Sequence, residues 1–451
     1  MILPTNRLII WTGIIFIPFS IFVAVVQPSV ALIMSIFAAL FIIMVIIDAF
    51  LSTGRLDGIG IELPEIVRFS KGREGEIPVR ILNKGNLLKK IDIAFPLPPE
   101  LISSSTEKTI ELPHDNELSS ITWPCRALKR GRAFMTQCYV RVASPLTFWS
   151  YRKRMAVQSE IRVYPDLFRE KKDITFLFQN RGLGVHSQRL IGKGRDFEQL
   201  REYSPGDSYE DIHWKATAKR QYPVTKVFQV ERTQEVYIIM DASRMSNRLV
   251  NGSKEDKNAN SETLTVIEKF ITSALIMGLV TERIGDLFGF VAFSNKIERF
   301  VRAKRGKGHF NALRDALYTL QPVKASPDFS ELITFISLRI RHRALLIFMT
   351  SLDDPVLADN FIERISVLSR KHLIIVNNLN AGDVKPVFAS PDASTTEDVY
   401  RNLGRHMIHQ NLKTLEKRLK KRGVGFVLLD NDKMNTQLIS QYLNIKQKQQ
   451  L

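Results

Sequence analysis

Two long runs almost free of charge open the chain. Leu8 to Val26 holds no ionisable residue, and Val30 to Leu51 holds only Asp48, near its end. At about 1.5 Å of rise per residue, a helix of either length crosses a hydrocarbon core of roughly 30 Å. Only Gln27-Pro28-Ser29 separates the two, which reads as a tight hairpin turn. A cleaved signal peptide suits these residues less well: the first run is long for one, has Arg7 as its sole basic flank, and leads at once into a second run. The expectation is a transmembrane hairpin over residues 1–55, with spans at about 8–26 and 30–51, set in a lipid bilayer.

Arg7 precedes the first span, Arg55 follows the second, and the turn between them carries no charge. The positive-inside rule then places both ends, and the soluble body, in the cytoplasm beneath the inner membrane. A reducing compartment leaves Cys125 and Cys138, the two cysteines of the chain, as free thiols. They would pair only if the body faced the oxidising side.

The remaining chain is long enough for two or three domains, and its hydrophobic fraction of 45% is ample for folded cores. From Gly58 to Asp166 short runs alternate apolar and polar residues. Glu76–Leu82, Lys90–Phe95, Thr109–Leu112, Ser120–Trp123, Cys138–Val142 and Glu160–Tyr164 read as strands of period two, with turns at Asn83–Asn86 and Lys129–Arg132. Such regular spacing predicts a β-sandwich of immunoglobulin-like type over residues 56–170. It shows no cluster of catalytic side chains, so spacing and contact are its expected work.

Beyond Glu235 strands and helices alternate, as a parallel sheet built of βαβ units requires. Val236–Met240 and Ala344–Thr350 are short, apolar and fit for buried strands, and long helical runs fall at Glu262–Val280, Val356–Arg370 and Thr396–Lys421. The fold class expected is α/β, a doubly wound domain over residues 235–445, preceded by the sandwich and the helical hairpin. Asp241 follows the first of these strands at once, with Ser243 two residues on. That is where open α/β sheets place their ligands, and both side chains are hard oxygen donors of the kind Mg²⁺ takes. The same residues also suit a plain strand-end turn, with the carboxylate capping and the serine bonding local backbone.

Between the sandwich and this sheet lies a charged segment, residues 171–234. It has Ser204-Pro205-Gly206-Asp207 at its bend and an apolar anchor at Ile212 and Trp214. Its Gly192-Lys-Gly-Arg-Asp-Phe, Leu200-Arg-Glu-Tyr, Pro205-Gly-Asp, Asp211-Ile-His-Trp-Lys and Ala216-Thr-Ala-Lys-Arg closely resemble the signature of the bacterial membrane proteins called domain of unknown function 58. In that family the signature runs directly into a von Willebrand factor A-like domain, and the resemblance covers nearly the whole chain in the expected order.

The resemblance implies a metal-ion-dependent adhesion site built from an Asp-x-Ser-x-Ser loop, a threonine from a second loop and an aspartate after a later strand. Asp241 and Ser243 match it; the second serine's place is held by Met245, the threonine's by Pro327 and the aspartate's by Ser351. Thioether and proline supply no hard oxygen, so a Mg²⁺ site here would be degenerate, with Asp353 the residue able to reach inward as a substitute. The resemblance also implies partnership with a MoxR-type AAA+ ATPase and chaperone-like maturation of a client protein. Candidate partner-binding residues are Gly206, Asp207, Trp214, Lys215 and Arg220.

Other motifs fall away. Arg305-Gly-Lys-Gly-His and Gly192-Lys-Gly lack the Gly-Lys-Ser/Thr ending of a phosphate-binding loop, and His406 and His409 have no evident third ligand. The net charge of +18 suits an anionic membrane surface, an acidic partner or nucleic acid, and with an anchor nearby lipid is preferred to nucleic acid. Much of it gathers near the end, where Lys413, Lys417, Arg418, Lys420 and Lys421 surround Leu412, Leu415 and Leu419 at helical spacing. Those leucines are expected to enter the core.

The function expected is a membrane-anchored scaffold, not an enzyme, with no small-molecule substrate and no cofactor beyond the degenerate Mg²⁺ site. The alternative is a cell-envelope adhesion or receptor protein with its A-domain outside, which the positive flanks oppose. A hydrolase built around Asp241, Asp353 and Asp354 is a third, which no motif requests.

Overall fold

Alternation of side chains decides the first folded region. In β4 (Glu74–Asn83) Ile77, Val79 and Ile81 are buried while the residues between them are not, and β8 (Leu118–Ala127) does the same with Trp123, Cys125 and Ala127. The computed structural model describes residues 1–25, 28–84, 88–113, 116–167, 191–205, 207–229, 234–250, 264–380, 396–431 and 433–448. They fall into two units, Met1–Asp166 and Leu167–Leu451.

In the first unit one sheet runs β1 (Ile2–Pro4), β10 (Trp149–Tyr164), β9 (Gly131–Ala143), β5 (Lys90–Ala94), β7 (Glu107–Glu111), with β3 (Ile66–Ser70) also on β10. The other runs β2 (Ile59–Glu62), β4, β8, β6 (Leu101–Ile102). Their inner faces share one core, in which the Phe95 and Trp123 rings meet edge to face at 4.9 Å. Between Ile59 and Tyr164 the two sheets therefore pack as a sandwich. Part of the turn expected at Asn83–Asn86 lies outside the described residues. Cys125 and Cys138 are free and buried, and burial pushes both thiols up to about 11, so they stay protonated and unreactive.

Helices α1 (Asn6–Val25) and α2 (Pro28–Ser52) occupy the two apolar runs. Among the described residues one window, Ser35–Ser52, is long and apolar enough to cross a membrane, and Asn6–Ile17 is a shorter apolar stretch. Asp48, the one charge in α2, has a structural use. Its carboxylate accepts hydrogen bonds from the Ser144 hydroxyl at 2.5 Å, Leu146 N–H at 3.0 Å and Phe148 N–H at 3.3 Å, all in the turn between β9 and β10. The Trp149 indole donates to the Val45 carbonyl at 2.9 Å, and Phe41 packs on Phe148. On the other side of the helix pair, β1 lies antiparallel to β10. The segment before α1 and the segment after α2 thus join the same sandwich.

The second unit begins with an antiparallel pair, β11 (Ile191–Glu202) and β12 (Val224–Gln229), bridged by a one-turn 3-10 helix, Tyr209–Asp211, and by α3 (Trp214–Arg220). Then comes β13 (Glu235–Asp241), the short pair β14 (Leu249–Val250) and β15 (Leu264–Thr265), and α4 (Val266–Ile284). The chain continues through β16 (Leu287–Phe293), β17 (Ile297–Lys304), α5 (Lys307–Leu317), α6 (Phe329–Arg339), β18 (Ala344–Met349) and α7 (Pro355–Ser369). It ends with β19 (Leu373–Asn380), α8 (Thr396–Lys420), β20 (Gly425–Asp430) and α9 (Met434–Gln447).

Six of these strands form a sheet in the order β17-β16-β13-β18-β19-β20, parallel except for the edge strand β17. Side chains of α4, α5 and α9 cover one face and those of α6, α7 and α8 the other, so β13 and β18 are buried on both sides and read as continuous apolar runs. This is the doubly wound α/β sheet expected from sequence. Leu412, Leu415 and Leu419 enter the second face as predicted, holding the basic helix α8 to the core. A Cβ on Gly289 would lie 2.2 Å from the Tyr237 ring, whose hydroxyl instead accepts Ala303 N–H at 3.1 Å, so the close approach of β13 to the β16–β17 hairpin needs glycine.

At the amino end of the sheet Asp286 is 1% exposed. One oxygen accepts Gln234 N–H at 3.2 Å; the other takes the Tyr442 hydroxyl and the Lys446 ammonium, the latter at 2.7 Å. This ties α9 to the start of β16.

Candidate functional site

The winding of the sheet makes the site. After β13 the chain crosses to β16 on one side and later returns to β18 on the other, so the gap between the carboxyl ends of β13 and β18 is the topological switch point. Met240 stands beside Met349 and Met349 beside Asn377. The next residues along, Asp241, Thr350 and Asn378, therefore form one polar row across three strand ends. All three are buried, on the sheet face otherwise filled by Ile239, Phe348 and Val376.

Asp241 is 0% exposed. One carboxylate oxygen accepts Ser243 N–H at 2.8 Å and the other accepts the Thr350 hydroxyl at 2.8 Å. Burial pushes its carboxyl above the ordinary range, opposed by the hydrogen bonds from Ser243 and Thr350 and by the Arg248 charge. Ser243 is buried as well, and its hydroxyl accepts Met245 N–H at 3.3 Å. The Ser246 hydroxyl bonds back to the Asp241 carbonyl, and Arg244 N–H donates to the Ala325 carbonyl at 3.0 Å, which brings the loop before α6 alongside. Asp241 and Ser243 thus lie together in one buried turn.

Asp353 does not turn inward. It is held outward by Arg248 Nη1 at 2.8 Å, Ser351 Oγ at 2.9 Å and Asn378 Nδ2 at 3.1 Å. The reason is electrostatic: a partly exposed guanidinium offers this carboxylate a partner, and a second buried carboxylate beside Asp241 would offer only repulsion. Pro327 is buried, and Asp328 caps α6 by accepting Ser330 N–H at 2.8 Å and Glu331 N–H at 3.2 Å. The hydroxyl that reaches Asp241 comes from Thr350, not from the 326–328 loop.

Mg²⁺ needs about six oxygens in near-octahedral array. Here the Asp241 oxygens already accept two hydrogen bonds, Met245 offers a thioether, and Asp353 is spent on Arg248. Among the described residues no group of three or more His, Cys, Asp or Glu side chains is placed to hold a metal. The donor set does not suit a resident Mg²⁺.

The signature residues sit in the β11–α3–β12 element. Asp207 accepts Ser204 N–H at 3.0 Å and Arg201 Nη2 at 2.6 Å, and the Ser204 bond is the main cause holding its carboxyl below the usual range. Asp207 thus shapes the turn; Gly206 lies outside the described residues. Ile212 is a buried anchor, paired with Thr225, but Trp214 is not: it is 69% exposed. It begins a helix of seven residues that buries none of its side chains. Lys215 and Arg220 are exposed on the same helix.

Sequence reading missed Thr350, Asn378 and Arg248. Thr350 had a signal, a hydroxyl just past the central apolar run Ala344–Met349, at the same height as Asp241 past its own strand. Arg248 had none, because its partner Asp353 is 105 residues away.

Residues 199–384 match the family model described as Protein of unknown function DUF58. No curated protein matches the chain. Among solved structures it is similar to the SpRpn10 VWA domain, at 12% identity and TM-score 0.27, covering 46% of this chain and 95% of that one. It is also similar to proximal thread matrix protein 1 from the mussel byssus, at 11% identity and TM-score 0.22, covering 42% and 45%. An uncharacterized membrane spanning protein from Vibrio fischeri matches at 16% identity and TM-score 0.18, covering 47% and 98%. Likeness this slight adds nothing to the strand order.

Proposed function

We propose that this chain is a membrane-anchored, non-enzymatic scaffold that docks a MoxR-type AAA+ ATPase at the carboxyl end of its sheet and supports maturation of a client complex. The observation that carries the reading is the row Asp241, Thr350 and Asn378. Asp241 is satisfied by Ser243 N–H and the Thr350 hydroxyl, and Asn378 by Leu352 N–H and the Asp353 carboxylate, which fixes the shape of the loops above them instead of poising a nucleophile and a base. A rigid loop platform at a switch point suits a protein partner. The match over residues 199–384 supports it, because it takes in the signature turn together with five of the six strands of the sheet, all but β20.

The anchor reading is that α1 and α2 both span the bilayer, with the body cytoplasmic. Joining of both flanks to one sandwich supports an even number of crossings, and the buried free thiols of Cys125 and Cys138 suit a reducing compartment.

The test is co-purification of the full chain from membranes in detergent. An AAA+ ATPase of this type should co-elute with it, and Asp207→Ala or an insertion between Gly206 and Asp207 should weaken recovery. Repeated purification without such an ATPase, together with no effect of those changes, would overturn the reading.

A further inference from the structure

Arg248 stands where the polar row meets solvent. It closes the turn that carries Ser243 and Met245, and its carbonyl accepts Val266 N–H at 2.9 Å, which fixes the backbone. Its guanidinium is divided. Nη1 donates to Asp353 at 2.8 Å, whereas Nη2 faces the Met245 sulfur at 3.5 Å, a weak acceptor. The side chain is 40% exposed and Asp353 22%, so the pair is aimed but not sealed.

Two exposed cations lie on the adjoining backbone: Arg244 in the same turn, and Lys324 next to Ala325, whose carbonyl accepts Arg244 N–H at 3.0 Å. A guanidinium presents a planar fork that matches a carboxylate with two parallel hydrogen bonds.

We infer that Arg248 is the built-in cation of this sheet end, receiving a carboxylate side chain of the partner protein on the edge of its guanidinium that Asp353 leaves open. The inference rests on the reading that this end is the docking face. A fixed guanidinium supplies positive charge at this sheet end, and a thioether in place of a second serine lies against it.

Met245 lies against Nη2 and serves as the reporter. The full chain in detergent micelles, labelled at its methionine methyl groups, is titrated with acetyl-Gly-Glu-Gly-amide and with the matching glutamine peptide, with EDTA present. Met245→Leu identifies the resonance. The glutamate peptide should move it saturably and the glutamine peptide should not. Arg248→Ala should weaken the effect by about tenfold or more, and Arg248→Lys, which keeps the charge and loses the fork, by less.

No glutamate-specific shift in the wild type, a shift that survives in Arg248→Ala, or one that requires added Mg²⁺ would each overturn the inference. If the glutamate peptide binds at Arg248 but no ATPase is ever recovered, the receptor stands and the partner reading falls. If the ATPase is recovered equally well with Arg248→Ala, the receptor falls and the scaffold reading stands.

Discussion

Asp286 and Asp241 are buried at opposite ends of the same sheet and are treated differently. At the amino end Asp286 meets a cation directly, Lys446, together with the Tyr442 hydroxyl, whose own ionisation burial and the adjacent carboxylate push upward. At the carboxyl end Asp241 accepts from neutral donors, among them Ser243 N–H and the Thr350 hydroxyl, while the nearby guanidinium is turned to Asp353. A buried charge with its own counterion is a fastener. A buried carboxylate without one holds a loop in shape at a standing electrostatic cost, as functional ends of folds often do.

The contrast is tested most strongly at the fastener. Asp286→Ala strands the Lys446 ammonium and the Tyr442 hydroxyl, and should lower stability by about 3 kcal/mol, read from the urea midpoint. A loss below about 1 kcal/mol would make the two ends equivalent.

Asp241→Ala should cost about 2 kcal/mol, but Asp241→Asn under about 1 kcal/mol, because an amide oxygen still accepts Ser243 N–H and the Thr350 hydroxyl can turn to accept from the amide. Equal losses from the two changes would mean that charge matters here as it does at Asp286. The pH dependence sharpens this. Burial raises the folded-state carboxyl of Asp241, so the folded protein retains a proton that the unfolded chain gives up. Its contribution to stability is full below the ordinary carboxylate range and falls as pH rises through the folded value. Urea midpoints taken from about pH 4 to 7 should show that decline in the wild type and less of it in Asp241→Asn.

Thr350→Val removes one hydrogen bond to Asp241 and should cost about 1 kcal/mol while raising that carboxyl further, seen as a steeper decline over the same pH range. Arg248→Ala should change the urea midpoint by less than about 0.5 kcal/mol, since its ion pair is partly solvated. A larger loss would make Arg248 a structural counterion like Lys446.

Much of this fold was legible because burial on both faces writes itself into the chain. Ala344–Met349 and Val236–Met240 could hardly be anything but central strands, and Leu412, Leu415 and Leu419 announced the buried stripe of α8. The site was legible only along the strand that carries it. Asp241 and Ser243 are local to one turn, whereas Thr350 and Asn378 reach the same row through strand register, which no spacing in the sequence records. The outward turn of Asp353 depends on Arg248, from a different loop. Trp214 misled because a large apolar residue was read as an anchor, when it stands exposed on a short helix that buries none of its side chains.

The pairing of β1 with β10 sets an order of manufacture. Leu3 and Ser150, which meet in that pair, are 147 residues apart. At ribosomal rates of about 5–20 residues per second, the first strand waits roughly 7 to 30 seconds for its partner to be made. Both apolar helices emerge during that wait, and Asp48 emerges with them before the Ser144–Phe148 turn exists to receive it. The helices are therefore born without their clasp, and the sandwich that grips both of their outer ends closes behind them, near the end of the first unit's synthesis.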